Sequence, residues 1–307
     1  EKALKGMESV IHLAAHQGYL KDFSTFAHVN DTGTALLYET IVNGKLPVRK
    51  VVVASSQAVY GEGKYNCPQH GVQYPPLRTP EQLQKGVWEV KCPVCAGEMT
   101  PRLADEATIN PHNQYAVSKN AQELYSLILG KRYGIPTVAL RYSIVHGARQ
   151  SFHNAYSGIL RIFSLRLLNG LAPVVYEDGR QLRDYVAVAD VARANLVALQ
   201  NDGVDFLPIN VGGSGRTTVL EYAAMLSKLS GKMIEPEIHG AFRFGDTRHA
   251  MSNISRLGSL GWKPEVSLEQ AAEEYLEWVQ TQVDMSDHYS EAEQVMIQQG
   301  VIRTVEE

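Results

Sequence analysis

The 307 residues include 29 basic and 33 acidic side chains, a formal charge of −4, and this balance excludes an electrostatic nucleic-acid binder. The chain is long enough for one large or two moderate domains with a sizeable core. Apolar runs are too short to span a bilayer, and no signal peptide, internal repeat or low-complexity segment is apparent, so the expectation is a cytoplasmic protein with neither membrane nor nucleic-acid partners.

In chain order, residues 10–14 predict a strand and residues 34–42 a helix. Residues 49–56 hold the β-branched run Val51-Val52-Val53 and end in Ser55-Ser56, which reads as a buried strand with hydroxyls at its carboxyl end. In an open parallel α/β sheet that end faces the ligand crevice. Residues 137–142 predict a second such strand, entered through Gly134 and Pro136. A helix between the two gives a β-α-β order and a parallel pair. Residues 206–211 predict a further strand, followed by Gly212-Gly213-Ser214-Gly215. This glycine spacing misses the dinucleotide fingerprint, and Thr218 with Glu221 forms a capping box, so a strand-to-helix turn is preferred there over a phosphate loop. Residues 287–299 read as a peripheral helix with no chemistry.

Between Gly61 and about Leu103 lies a segment containing all three cysteines, in Cys67-Pro68-Gln69-His70 and Cys92-Pro93-Val94-Cys95. Each is a Cys-Pro-x-ligand turn, and 21 residues separate His70 from Cys92. Two such turns can bring three thiolates and an imidazole to a tetrahedral centre, the closed set of structural zinc. A redox Cys-x-x-Cys and a metal-free loop are the competing readings. The paired turns are the more specific pattern, and metal would supply ordering energy to a Pro-rich segment poor in core residues.

Tyr115-Ala116-Val117-Ser118-Lys119 places a phenol and an amine four residues apart on one predicted helical face. A cation close to a phenol favours its phenolate and makes it a usable base. Taken alone the spacing is common, and a half-buried tyrosine beside a solvated lysine is the bland reading.

Its surroundings change that reading. Val10-Ile11-His12-Leu13-Ala14-Ala15, Asn30 with Gly33-Thr34, Ser55 to Gly61, Tyr115 with Lys119, Leu140-Arg141-Tyr142, Arg183-Asp184-Tyr185-Val186, Asn210-Val211-Gly212 and Leu260-Gly261-Trp262-Lys263-Pro264 occur in a fixed order. In these pieces the chain resembles the extended short-chain dehydrogenase/reductases, specifically the NAD-dependent nucleotide-sugar epimerase/dehydratase family. The resemblance implies an α/β fold: a Rossmann-type parallel sheet over residues 1–147 with a returning strand at 206–212, a Cys/His-rich insert at 62–103, and a smaller substrate domain with a C-terminal helix over 148–307. It also implies that the family's glycine-rich phosphate turn and about three strands precede Glu1, so the sheet is expected to be N-terminally truncated and NAD binding poor. A non-catalytic remnant, or a binding module organised by zinc, is the alternative this gap supports.

Carried over from the family, Ser56, Tyr115 and Lys119 are the catalytic residues. Leu13, Ala14, Ala15, Asn30 and Ser55 join Tyr115 and Lys119 at the cofactor, NAD. Asn154, Arg183 and Arg243 hold the nucleotide-diphosphate sugar; for Asn154 a turn role, and for Arg243 ion pairing, are equal alternatives. Asp184 and Asp190 are expected to fix loops and cap the helix that follows. Family dehydratases carry Asp-Glu where this chain has Gln57-Ala58, so elimination is disfavoured and 4-epimerisation leads. In Arg141-Tyr142-Ser143-Ile144, Ile144 stands where many of these epimerases carry a strand-end asparagine after Arg-Tyr-Phe, so the resemblance implies different sugar contacts there. The Cys/His insert is most like the dTDP-L-rhamnose 4-epimerase branch. A homodimer is expected to pack through the helix at 34–42 and the Tyr115 helix.

Overall fold

The computed structural model describes residues 1–18, 20–151, 158–213, 215–282, 285 and 289–305. Among them the central sheet has four parallel strands, β1 (Ser9–His12), β2 (Lys50–Ser56), β3 (Thr137–Tyr142) and β4 (Pro208–Val211), side by side in that order. The register pairs Ser9 with Lys50, Val51 with Thr137 and Ala139 with Pro208. The connecting helices are α1 (Gly33–Asn43) after β1, α2 (Gln114–Tyr133) after β2 and α3 (Val188–Gln200) after β3.

Helices on both faces explain why β2 is buried almost throughout. Val51 and Val53 pack with Tyr38 and Ile41 of α1, whereas Val52 points the other way, toward Val191 and Ala194 of α3 and Trp262. The expected parallel pair is realised as β2 beside β3, β4 lies within the span expected for a further strand, and β1, at one end of the described sheet, leaves Ile11 exposed.

Helix α2 is set by its ends and by one close approach. Asn113 caps it, accepting from Ala116 N at 2.8 Å, and Gly134 closes it in the left-handed conformation at φ 68°. Its inner face is small and polar, and a Cβ on Gly130 would lie 2.4 Å from Thr137 Oγ1, so α2 can settle directly on β3. This brings Ser118, Lys119, Gln122 and Glu123 into the interior.

A second core joins the helices Ile159–Leu168, Val219–Leu229 and Leu268–Gln280 around Phe163, Tyr222 and Tyr275. The C-terminal helix, Tyr289–Gln298, belongs to this core through Tyr289 and Met296, and Ala292 is buried with them. That corrects the expectation of a peripheral element: the three apolar positions recur at helical spacing and face inward. The glycine turn after β4 is structural, since Gly213 N donates to Asp184 Oδ1 at 2.8 Å and a Gly213 Cβ would sit 1.7 Å from Tyr185 O. Thr218 and Glu221 form the expected capping box.

The insert is a three-stranded antiparallel ribbon, Gly71–Gln73, Lys64–Cys67 and Thr100–Arg102, with a short helix, Pro80–Gln84, capped by Thr79. It is less core-poor than its composition suggests. Tyr65, Leu83 and Val90 are buried, and Arg78 is 4 % exposed within a ring of carboxylates.

Candidate active site

The carboxyl ends of β2 and β3 and the segment after β1 open on a cavity of about 1080 Å³, the crevice position expected for an open parallel sheet. Ser56, Tyr115, Lys119, Arg183 and Arg243 all line it. Lys119, 3 % exposed, donates from Nζ to Ala54 O at 2.6 Å and to Gln122 Oε1 at 2.7 Å. Burial holds its amine down at about pKa 8. Tyr115, one turn earlier on α2, is half-buried at the wall.

The two serines at the end of β2 are used differently. Ser55 is buried and its Oγ donates to Glu123 Oε2 at 2.7 Å, while Glu123 also receives Arg141 Nε at 3.0 Å and Nη2 at 2.6 Å. Ser56 is half-buried and accepts from Ala58 N at 3.2 Å, capping the turn that carries Gln57 and Ala58. The Ser55 hydroxyl is thus committed to α2 and that of Ser56 is not, and both residues line the cavity.

Leu13 and Ala15 line the cavity and Ala14 is exposed between them. Asn30 is fully buried: its amide donates to His16 O at 3.0 Å and Ser118 Oγ at 2.8 Å, and its carbonyl accepts from His16 N at 2.6 Å. Its contribution is to tie the segment after β1 to α2. Asn154 lies outside the described residues.

Arg183 donates to the carbonyls of Leu182, Thr247 and Arg248 at 2.9–3.0 Å. Arg243 pairs with Asp246 at 2.8 Å, its guanidinium 5.3 Å from the centre of the Tyr176 ring. Asp184 accepts from Ser143 Oγ and Gly213 N at 2.8 Å, and Asp190 receives Glu265 N and Val266 N at 3.1 Å, so both carboxylates do hold loops.

Sequence reasoning missed several residues. Gln122 joins Lys119 to His12 at 3.1 Å and to Thr34 at 2.9 Å, a polar chain across three elements. Tyr289 hydrogen-bonds Tyr176 beneath Arg243, and with Arg303 it brings the C-terminal segment to the cavity wall. The strand Ile302–Arg303 pairs antiparallel with Phe242–Arg243. The spacing of Tyr289, Ala292 and Met296 was the available signal for that packing.

In the insert, the ligand atoms of Cys67, His70, Cys92 and Cys95 lie within 4.8 Å of one another. Cys67 Sγ is 3.6 Å from His70 Nδ1 and 3.8 Å from Cys95 Sγ, and Cys92 Sγ is 3.7 Å from His70 Nδ1. Tetrahedral zinc with Zn–S near 2.3 Å and Zn–N near 2.0 Å has edges of about 3.6–3.8 Å. The three measured edges match that geometry, and the remaining ones lie within 4.8 Å.

Among the described residues no helix is long and apolar enough to cross a membrane. Residues 94–212 match the NAD dependent epimerase/dehydratase family. Over 281 residues the chain is 34% identical to the dTDP-L-rhamnose 4-epimerase of Burkholderia thailandensis, covering 90% of this chain and 76% of that protein. The crystal structure of UDP-glucose 4-epimerase from Thermotoga maritima with UDP-glucose superposes with a TM-score of 0.73 at 28% identity, over 90% of this chain and 78% of that one. MoeE5 in complex with UDP-glucuronic acid and NAD gives 0.71 at 25% identity, over 91% and 81%. With the shared sheet, the cavity and a relative matched along most of both lengths, the chain belongs to the NAD dependent epimerase/dehydratase family.

Proposed function

We propose that this chain is an NAD-dependent nucleotide-sugar 4-epimerase whose substrate is dTDP-L-rhamnose. The observation that carries the reading is one cavity joining Ser56, Tyr115 and Lys119 to Arg183 and Arg243. NAD, when bound, accepts a hydride from the sugar and returns it, and Leu13, Ala15, Tyr115 and Lys119 would flank it; Ala14 adjoins, and Asn30 and Ser55 act from behind.

Tyr115 takes the proton of the C4 hydroxyl as the C4–H bond breaks, and gives it back to the oxygen when the carbonyl is reduced from its other face. Lys119 favours the phenolate. Ser56 hydrogen-bonds the reacting oxygen and holds it against Tyr115. Gln57 and Ala58 supply neither acid nor base for elimination of water, which leaves return of the hydride as the step that follows oxidation. Arg183 and Arg243 suit a diphosphate, because planar guanidiniums pair with its oxygens while leaving the sugar free to turn over. Asn154 is a further candidate for substrate contact.

Cys67, His70, Cys92 and Cys95 bind a structural zinc, since protein ligands fill the coordination sphere. Residues 1–147 with the strand near 206–212 form the cofactor half, and 148–307 the substrate half. The chain dimerises through α1 and α2, whose exposed Leu36, Val117, Leu124, Tyr125 and Ile128 offer an apolar face. The test is turnover of dTDP-L-rhamnose against UDP-galactose by NAD-loaded protein, with Tyr115→Phe as control. Inversion of dTDP-L-rhamnose that Tyr115→Phe abolishes supports the reading. Exclusive turnover of the UDP sugar refutes the substrate, and no turnover of either refutes the activity.

A further inference from the structure

Arg248 is fully buried in a ring of carboxylates contributed by distant parts of the chain. Its guanidinium donates to Glu89 Oε1 at 2.6 and 3.0 Å, to Glu177 Oε2 at 2.9 Å, and to the two oxygens of Asp178 at 2.7 and 3.0 Å. Arg78 donates to Glu62 at 3.1 Å, to both oxygens of Glu177 at 2.9 and 3.0 Å, and to the carbonyls of Trp88 at 3.0 Å and Asp246 at 2.8 Å. Glu62 closes the network by accepting from Arg248 N at 2.8 Å. Glu62, Arg78 and Glu89 belong to the Cys/His insert, and Glu89 stands three residues before Cys92.

The other side of the same backbone carries the cavity arginines. Arg183 is held by the carbonyls of Thr247 and Arg248, and Arg243 by the carboxylate of Asp246, whose carbonyl is gripped by Arg78. Thr247 Oγ1 adds a bond to Gly61 O at 3.0 Å. The segment 246–248 is thus clamped by the insert on one side and orients both guanidiniums on the other.

We propose that the Cys/His insert is a positioning element for substrate: acting through Arg78 and Arg248, it fixes the 246–248 backbone and so aims Arg183 and Arg243 at the nucleoside diphosphate. The proposal rests on the reading of those two arginines as the diphosphate grip. A network serving stability alone would change unfolding free energy and leave ligand affinity untouched. A network that positions must change affinity in protein that is still folded, because a small misplacement of a charge-bearing group weakens binding steeply.

The experiment is calorimetric titration of dTDP into wild type, Glu89→Gln, Cys95→Ser and a surface control, Lys91→Ala, with zinc content and urea unfolding measured on each. Lys91 makes a loose contact of 3.8 Å with exposed Glu98, outside the network. Glu89→Gln is expected to retain zinc and weaken dTDP binding about tenfold, Cys95→Ser to lose zinc and weaken it comparably, and Lys91→Ala to match wild type. In the NAD-loaded enzyme, Glu89→Gln raises KM for the sugar nucleotide and leaves kcat near wild type. If Glu89→Gln does not fold, Cys95→Ser, the other change within the insert, carries the decision. Folded variants that bind dTDP like wild type overturn the coupling and leave the pocket assignment standing, whereas wild type that binds no dTDP overturns both.

Discussion

Replacing Lys119 by methionine should make the protein more stable at neutral pH while removing its activity. Lys119 is 3 % exposed and burial lowers its pKa from 10.5 to about 8. Below pH 8 the amine is charged in both folded and unfolded states, and holding that charge inside costs about 3 kcal/mol. As pH rises from 8 to 10.5 the folded state releases its proton first, so the penalty fades and wild type gains stability across that window. Methionine fills a similar volume without charge, but leaves Ala54 O and Gln122 Oε1 without their donor, a loss of about 1–2 kcal/mol. The net expectation is a Lys119→Met variant about 1–2 kcal/mol more stable than wild type at pH 7, with that advantage shrinking by about 2 kcal/mol at pH 9.5. Urea unfolding of both proteins at the two pH values, with a common m value, measures it. A stability gap that does not change with pH would refute the argument that a buried charge sets it.

The same titration bears on turnover: kcat/KM of the NAD-loaded enzyme should fall on the basic side with a midpoint near pH 8, as Lys119 loses the charge that favours the Tyr115 phenolate, and a profile flat to pH 9.5 would contradict this. Glu123→Ala strands the Arg141 guanidinium, 2 % exposed, and should cost about 3–5 kcal/mol in chemical denaturation; a loss under about 1 kcal/mol would mean that the pair matters little. Ile128→Asp places a carboxylate in the exposed apolar face of α2 and should shift the protein to monomer in sedimentation velocity, with an unfolding midpoint that no longer rises with protein concentration.

Much of the sheet was legible because buried parallel strands write themselves as β-branched runs. Residues 49–56 and 137–142 needed little more than Val51-Val52-Val53 and the proline and glycine at the next strand's entrance. The capping box at Thr218 and Glu221 was readable for a similar reason, since its partners are three residues apart. The Cys/His turns were readable too, because each brings two candidate ligand side chains together locally and only their pairing is long-range. What stayed hidden depends on contacts between residues far apart in sequence. Arg78, Arg248 and Glu177 look like ordinary surface charges until the fold brings them together and excludes water. Ser55 and Ser56 are chemically identical neighbours, and only the fold commits one hydroxyl to Glu123 and sets the other to cap the turn at Ala58. The C-terminal helix was misjudged because its three inward residues are diluted by Glu291 and Gln294 on the outer surface and by Glu293, whose carboxylate turns inward to accept from Tyr176 and Tyr289.

The central claim is reversible oxidation at C4 with Tyr115 carrying the proton, and an isotope reports on it directly. dTDP-L-rhamnose bearing deuterium at C4, incubated with the NAD-loaded enzyme and followed by NMR, should invert at C4 with the label retained, and Tyr115→Phe should slow that inversion about 10²–10⁴-fold. Label exchanged into solvent, loss of water from the sugar, or an undiminished rate in Tyr115→Phe would contradict the account.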